Sequence, residues 1–392
     1  MQEEKLWNSN YLKAWSANFM LNFSFMLLTP LFPLYLSEQF GATKDQIGMV
    51  LSGYALTALL IRPFSGFFVD TFPRKVVLLI FYFLFFILFG GYMVAGSLLS
   101  FCVIRTLHGA PMGAATVSNS TVAIDVLPSS RRAEGIGYYG LSNNLATAIA
   151  PTVGMFLYHY VANYNLLFAL ALVAAGTGLL INCTLHLRPR ETQQGKQPIS
   201  LDRFLLSCAW REGICMICFA YSFGVVATYL AIYAQQELNI GTGSGLFFAL
   251  LSTGLILSRL VGARSLRLGH VAKNATHGVL VSLCGYLLFA ALHNVWGFYG
   301  AALIIGLGNG HMFPAFQTMF LNLAPNSKRG TANSTLLTCW DLGVGIGIVL
   351  GGFLAEHVHY HAAFWSAWLT NALGVLTFLL VAKRHFLQNK LR

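Results

Sequence analysis

The chain has 392 residues, 56% of them hydrophobic and only 9% charged, whereas a water-soluble domain carries about a quarter charged residues, so a soluble globular protein is excluded. The formal charge of +11 is scattered over short loops between apolar runs, with no basic block to track phosphates, which excludes a nucleic-acid partner. The seven cysteines are odd in number and lie in or beside apolar segments, which excludes a disulfide framework or a cysteine-based zinc site.

Runs free of Asp, Glu, Lys and Arg cover Ala14–Ser37, Val76–Ile104 and Gly213–Gln236. Each is long enough to cross a ~30 Å hydrocarbon layer at ~1.5 Å per residue. Gly135–Leu187 and Asn274–Ser327 are long enough for two crossings each. No strand alternation runs through them, and lipid admits only helices or closed barrels, so these are helices. In chain order, hydropathy and breaker residues predict spans 1 to 12 at 13–37, 46–69, 75–95, 97–125, 134–160, 164–186, 207–235, 243–266, 272–292, 295–323, 330–356 and 361–383. Glu3 and Glu4 precede span 1 without a small-residue cleavage site, so no leader is expected to be removed. Span 1 as drawn contains no acid. Cys215 and Cys218, one turn apart in span 7, read as small helix-packing residues.

The longest polar interruption, between His186 and Phe204, divides the chain into an N-terminal six-helix bundle (1–186), a linker (187–204) and a C-terminal six-helix bundle (205–392). Lysines and arginines crowd the loops on one side, from Arg74 and Lys75 through Arg131, Arg132, Arg188, Arg264 and Lys328 to Lys383, while Lys44 stands alone opposite. That asymmetry places the linker and both termini in the cytoplasm.

The halves repeat at an offset of 197 residues. Pro128-Ser-Ser-Arg-Arg precedes a Gly-rich helix reaching Gly154, and Pro325-Asn-Ser-Lys-Arg precedes one reaching Gly351. The same offset pairs Gly109 with Gly306, Gly113 with Gly310, and Arg62 with Arg259. The expectation is an all-α membrane protein of twelve transmembrane helices in two six-helix bundles related by a pseudo-two-fold repeat.

These residues resemble the major facilitator superfamily along the whole chain. Gly66-Phe-Phe-Val-Asp70-Thr-Phe-Pro-Arg74-Lys75 is similar to its signature loop between spans 2 and 3, with Pro73 where the pattern has Gly. Arg105-Thr-Leu-His-Gly109 in span 4 resembles the motif of proton-coupled members. Ala150, Pro151 and Gly154 in span 5 resemble the antiporter motif, with alanines in place of glycines, and Pro30 to Leu36 in span 1 resembles that of bacterial drug and sugar efflux permeases, which implies a bacterial inner membrane. The resemblance implies a pathway lined by spans 1, 4, 7 and 10, with Arg105 in the central cavity. It also implies a cytoplasmic latch of Gly66, Asp70, Arg74 and Asp125, in which Asp70 caps span 11 and Arg74 pairs with Asp125.

An ionisable group at membrane depth costs a few kcal/mol or more and is a functional candidate. Arg105, Asp341 and Asp125 meet that description; Asp341, whose repeat mate is Asn144, is the acid nearest mid-depth. Arg105, Asp341 and His311 are the proton-coupling candidates. Asn18, Asn22, His108, Tyr221, Thr228, Asn309, Phe313 and Gln317 are expected to line the substrate cavity, the last three at i, i+4 and i+8. His357, His359 and His361 share the turn between spans 11 and 12, but no carboxylate beyond Glu356 and no thiol joins them, so no metal site is expected. No phosphate-cradling GxxxxGK[ST] and no nucleophile–base motif occurs, so neither an ATPase nor another enzyme is expected, and no cofactor. The expected function is proton-coupled efflux of a small organic molecule by a lipid-embedded monomer. The alternatives are a symporter or uniporter importing a metabolite and, from another class, a membrane sensor or lipid-remodelling protein.

Overall fold

A computed structural model describes residues 6–128, 132–187, 204–240, 243–267, 270–325 and 328–391. The helices follow the predicted spans closely: Ser9–Leu28 with Phe32–Phe40, Lys44–Thr71, Arg74–Val94, Leu98–Asp125, Arg132–Val161, Tyr164–Cys183, Trp210–Gln236, Gly243–Arg267, Val271–Ala291, Val295–Leu323, Arg329–His357, and Tyr360–Thr377 running on to Asn389. Among the described residues, eight helices are apolar and long enough to cross a membrane by composition alone.

Local chemistry sets the helix ends. Spans 2 and 4 open on capping boxes, Thr43 with Gln46 and Ser97 with Ser100, and spans 6 and 10 open on the side chains of Asn163 and Asn294. All four caps lie on the face opposite the termini, where side chains take up backbone N–H groups that a helix end leaves open. Span 1 breaks at Thr29–Leu31, where Pro30 lacks an N–H, and resumes through Phe40 before Gly41 ends it at φ +60°, in the left-handed region that favours glycine. Glu38 therefore lies on the outer part of span 1. This corrects the expectation of an acid-free span, because the helix runs three residues past its predicted end.

Each bundle has its own core. Phe32, Tyr82, Phe85, Phe89 and Phe101 anchor the first, and Phe219, Phe247, Phe289, Phe298 and Phe316 the second. The repeat survives in three dimensions. A Cβ on Gly109 would sit 2.0 Å from the Tyr54 carbonyl oxygen, and one on Gly306 would sit 2.0 Å from that of Leu251. Tyr54 and Leu251 also stand 197 positions apart. Spans 2 and 4, and their mates 8 and 10, thus touch backbone to backbone only because these positions lack a side chain. Across the bundles, span 2 packs on span 11 and span 5 on span 8.

Candidate functional site

Among the described residues, an ionic contact between the bundles joins spans 2 and 11. Arg62 donates from Nε to Asp341 Oδ2 and from Nη1 to Thr116 Oγ1 of span 4 at 3.2 Å, while Ser334 Oγ of span 11 donates to the Arg62 carbonyl at 2.7 Å. Both charged side chains are largely buried, 9% and 15% exposed. Burial weakens water's competition and leaves each charge dependent on the other. Asp341 stands twelve positions into span 11 and Arg62 nine from the end of span 2, well inside the apolar layer. Arg62 was legible from its cost at that depth, yet the sequence argument used it only as a repeat mate of Arg259.

Arg105 lies seven positions into span 4, 4% exposed. Its guanidinium carbon sits 4.3, 4.5 and 5.3 Å from the ring centres of Tyr54, Phe32 and Phe25. Aromatic faces hold the cation here, and no carboxylate pairs with it among the described residues. Tyr54 lies on span 2, eight positions before Arg62, so one helix touches Arg105 and carries Arg62.

The cavity residues scatter. Thr228 faces the outer cleft between spans 2, 7 and 11. Asn18 and Asn22 are buried inside the first bundle, where Asn18 donates to Ser142 Oγ at 2.7 Å and Asn22 to the Asn18 carbonyl. His108 is not a cavity residue: it is fully buried against Phe85, Phe89 and Tyr92, with its Nδ1 2.9 Å from the Tyr92 hydroxyl. Tyr221 turns to Ser366 of span 12 at 3.0 Å. Asn309, Phe313 and Gln317 do not share one face. Asn309 accepts from Ser282 of span 9, Phe313 packs on Trp340 of span 11, and Gln317 donates to Asn333, which donates in turn to Ser120 of span 4. Eight positions at ~100° each overshoot two full turns by roughly 80°, which carries Gln317 away from Asn309. His311 is tied to span 9 by a reciprocal pair with Asn274, at 3.1 and 3.2 Å.

Of the latch, Arg74 pairs with Asp125, joining spans 3 and 4 within the first bundle rather than the two bundles to each other. The side chain of Asp70 lies outside the described residues, and Gly66 sits in the last turns of span 2. Near it Phe64 and Phe67 meet Phe204, the last residue of the linker. In the span 5 motif, Ala150 is fully buried, Pro151 lies within the helix, and a Cβ on Gly154 would meet the Leu27 carbonyl at 2.4 Å, which seats span 5 on span 1.

At the end opposite the termini, a cavity of about 150 Å³ opens between the bundles, lined by Pro33, Glu38, Tyr158, His159 and Gln235 among others. Glu38 Oε1 and Oε2 accept from Tyr158 and Tyr164 at 2.5 and 2.8 Å. Glu38 was missed because the predicted span stopped at Ser37. Beyond it, His361 Nε2 lies 3.3 Å from Glu237 Oε2 and its ring 3.7 Å from that of His293. Burial, and then the neighbouring His361, hold His293 below the ordinary imidazole range. Among the described residues no three His, Cys, Asp or Glu side chains converge to hold a metal ion.

With this geometry in place, a family model described as Major Facilitator Superfamily matches residues 14–277 and 275–391. The Staphylopine export protein of Staphylococcus aureus is 25% identical over 402 residues, covering 94% of this chain and 92% of its own. The Quinolone resistance protein NorA of the same species is 24% identical over 379 residues, covering 94% and 95%. In three dimensions the human organic anion transporter MFSD10 superposes with a TM-score of 0.76 at 18% identity, over 94% of this chain and 98% of its own. A peptide transporter POT gives the same TM-score at 15% identity, covering 97% and 95%.

Proposed function

This chain belongs to the major facilitator superfamily, and from that premise we propose that it exports a small organic molecule from the bacterial cytoplasm in exchange for protons, as a monomer in the inner membrane. The Arg62–Asp341 pair carries the reading, because it spans the two bundles and contains a group that a proton can neutralise. The relatives named for export and drug resistance support the direction. The crowding of Lys and Arg on the face of the termini supports a cytoplasmic assignment for that face. The bundles 1–186 and 205–392 are the two bodies that rock about the pathway, with 187–204 as their tether.

In the proposed cycle, a proton arriving from outside neutralises Asp341 and releases Arg62, and the two bundles separate along spans 2 and 11. Loss of that proton to the cytoplasm restores the pair. Substrate loads and leaves at opposite ends because the two facing states differ in this one contact. A thermal-shift screen of the purified protein against metabolites and drugs, quinolones included, selects the substrate. Proteoliposomes with an imposed pH step then move that substrate against its own gradient. Movement only down its gradient, with no response to the pH step, makes the protein a uniporter and ends the antiport reading.

Arg74 and Asp125 steady the cytoplasmic turn between spans 2 and 3 in this scheme. Asp125 is 42% exposed, so the pair contributes only ~0–1 kcal/mol. Asp125→Asn is expected to slow the initial transport rate by about two- to five-fold and to leave the melting temperature near that of the wild type. An unchanged rate over a range of pH steps removes the pair from the cycle.

A further inference from the structure

The internal repeat relates two arginines whose surroundings differ. Arg62 of span 2 and Arg259 of span 8 stand 197 positions apart, as do Asn144 of span 5 and Asp341 of span 11. The pseudo-two-fold therefore carries the contact between spans 2 and 11 onto the contact between spans 8 and 5. In the first, guanidinium meets carboxylate. In the second, Asn144 occupies the position of the acid, and no carboxylate pairs with Arg259 among the described residues.

Two donors there are left without acceptors. Arg259 Nε is buried and makes no hydrogen bond, and neither does the Nδ2 of Asn144, a residue only 6% exposed. Span 5 meets Arg259 one turn before Asn144: a Cβ on Gly140 would lie 3.3 Å from an Arg259 terminal nitrogen across the bundle interface. A buried donor without an acceptor costs ~1–3 kcal/mol, more when it is charged. An asparagine amide and a guanidinium together make the donor set that a planar carboxylate accepts from through both oxygens.

We infer that Arg259 and Asn144 form a binding site for the carboxylate of the transported molecule, which takes the place that Asp341 holds in the other half. The substrate class is then an organic acid or a zwitterion carrying a carboxylate. Arg259 lies eight positions from the end of span 8 that shares the face of the termini, so the site is nearer the side on which an exporter loads. The bound carboxylate joins spans 5 and 8 as Asp341 joins spans 2 and 11. A loaded carrier thus holds both seams through an arginine–carboxylate pair, one of them supplied by its cargo. This rests on the transport reading above and extends it to the chemistry of the cargo.

The test uses the full-length protein in nanodiscs with 1-naphthoate, indole-3-acetate and a quinolone, each beside its methyl ester, and with acetate and phosphate as small oxyanions. At least one acid is expected to raise the melting temperature by ~2 °C or more at saturating concentration, and its ester not to. Arg259→Gln and Asn144→Asp are each expected to abolish that rise, the second by giving Arg259 an internal partner and raising the unliganded melting temperature. Arg259→Lys keeps part of the rise. If no acid outperforms its ester, or if the rise survives in Asn144→Asp, the site is not a carboxylate site. A rise from acetate or phosphate equal to that from the organic acids overturns the assignment to cargo. Proteoliposome efflux of the same compounds separates the two readings: an ester exported as fast as its acid leaves efflux standing and removes the carboxylate site. Acid binding without export under a pH step does the reverse.

Discussion

Asp341→Asn in proteoliposomes is expected to lose at least ~100-fold of the substrate accumulation driven by a pH step, while substrate-for-substrate exchange at equal pH stays within ~3-fold of wild type. The magnitude follows from the pair. Breaking a buried ion pair from one side costs ~3–5 kcal/mol, and each ~1.4 kcal/mol is a factor of ten in the balance between two states. In the proposed cycle a proton makes and removes that bias each time round. Asparagine fixes the neutral form, so the contact no longer reports the pH on either side, and accumulation fails even though the bundles still move. Exchange needs no proton cycle and persists. Full pH-driven accumulation by Asp341→Asn would take Asp341 out of coupling.

The partner gives an independent check on stability. Arg62→Gln leaves a buried carboxylate without its cation, whereas Arg62→Gln with Asp341→Asn leaves two neutral groups of similar shape. Melting in detergent is therefore expected to rank wild type first, the double variant second and Arg62→Gln last. A double variant that melts no higher than Arg62→Gln would show that the two side chains do not depend on each other.

Much of the fold was legible because the bilayer permits few solutions. Uncharged runs of the right length, the polar interruption between His186 and Phe204 and a fixed repeat offset lead to twelve helices, and Gly109 and Gly306 show that the repeat is one of contacts as well as letters. The site was less legible, since helical periodicity tells which residues share a face but not which neighbour that face meets. His108 and Asn309 carry suitable chemistry at suitable depth, yet they face span 3 and span 9 within their own bundles. Asp341 stood out alone by its charge, but its partner is 279 residues away in sequence, and only the packing of span 2 on span 11 brings them together. Glu38 was lost to a boundary three residues short.

Arg105→Ala is expected to abolish uphill transport, by roughly 30- to 150-fold or more, with the protein still folded. Three rings hold the guanidinium, and desolvated cation–π contacts contribute ~2 kcal/mol or more, so the positive charge stays in the proposed pathway. That field disfavours a second cation nearby, whether a proton or a charged substrate, and does so only in the facing state that brings the two together. Tyr54, its ring centre 4.3 Å from the Arg105 guanidinium carbon and on the same helix as Arg62, is the structural link between Arg105 and the proposed coupling pair. Alanine removes the field and leaves Phe25, Phe32 and Tyr54 to close on one another, so folding survives. Arg105→Lys keeps the charge but loses the planar stacking, and is expected to retain a measurable part of the activity. The decisive comparison is the pH profile of transport. If the charge acts through Asp341, the profile shifts in Arg105→Gln and recovers in Arg105→Lys, whereas a merely structural arginine would lower the rate equally at every pH. An Arg105→Ala protein that accumulates substrate at the wild-type rate would remove Arg105 from the mechanism.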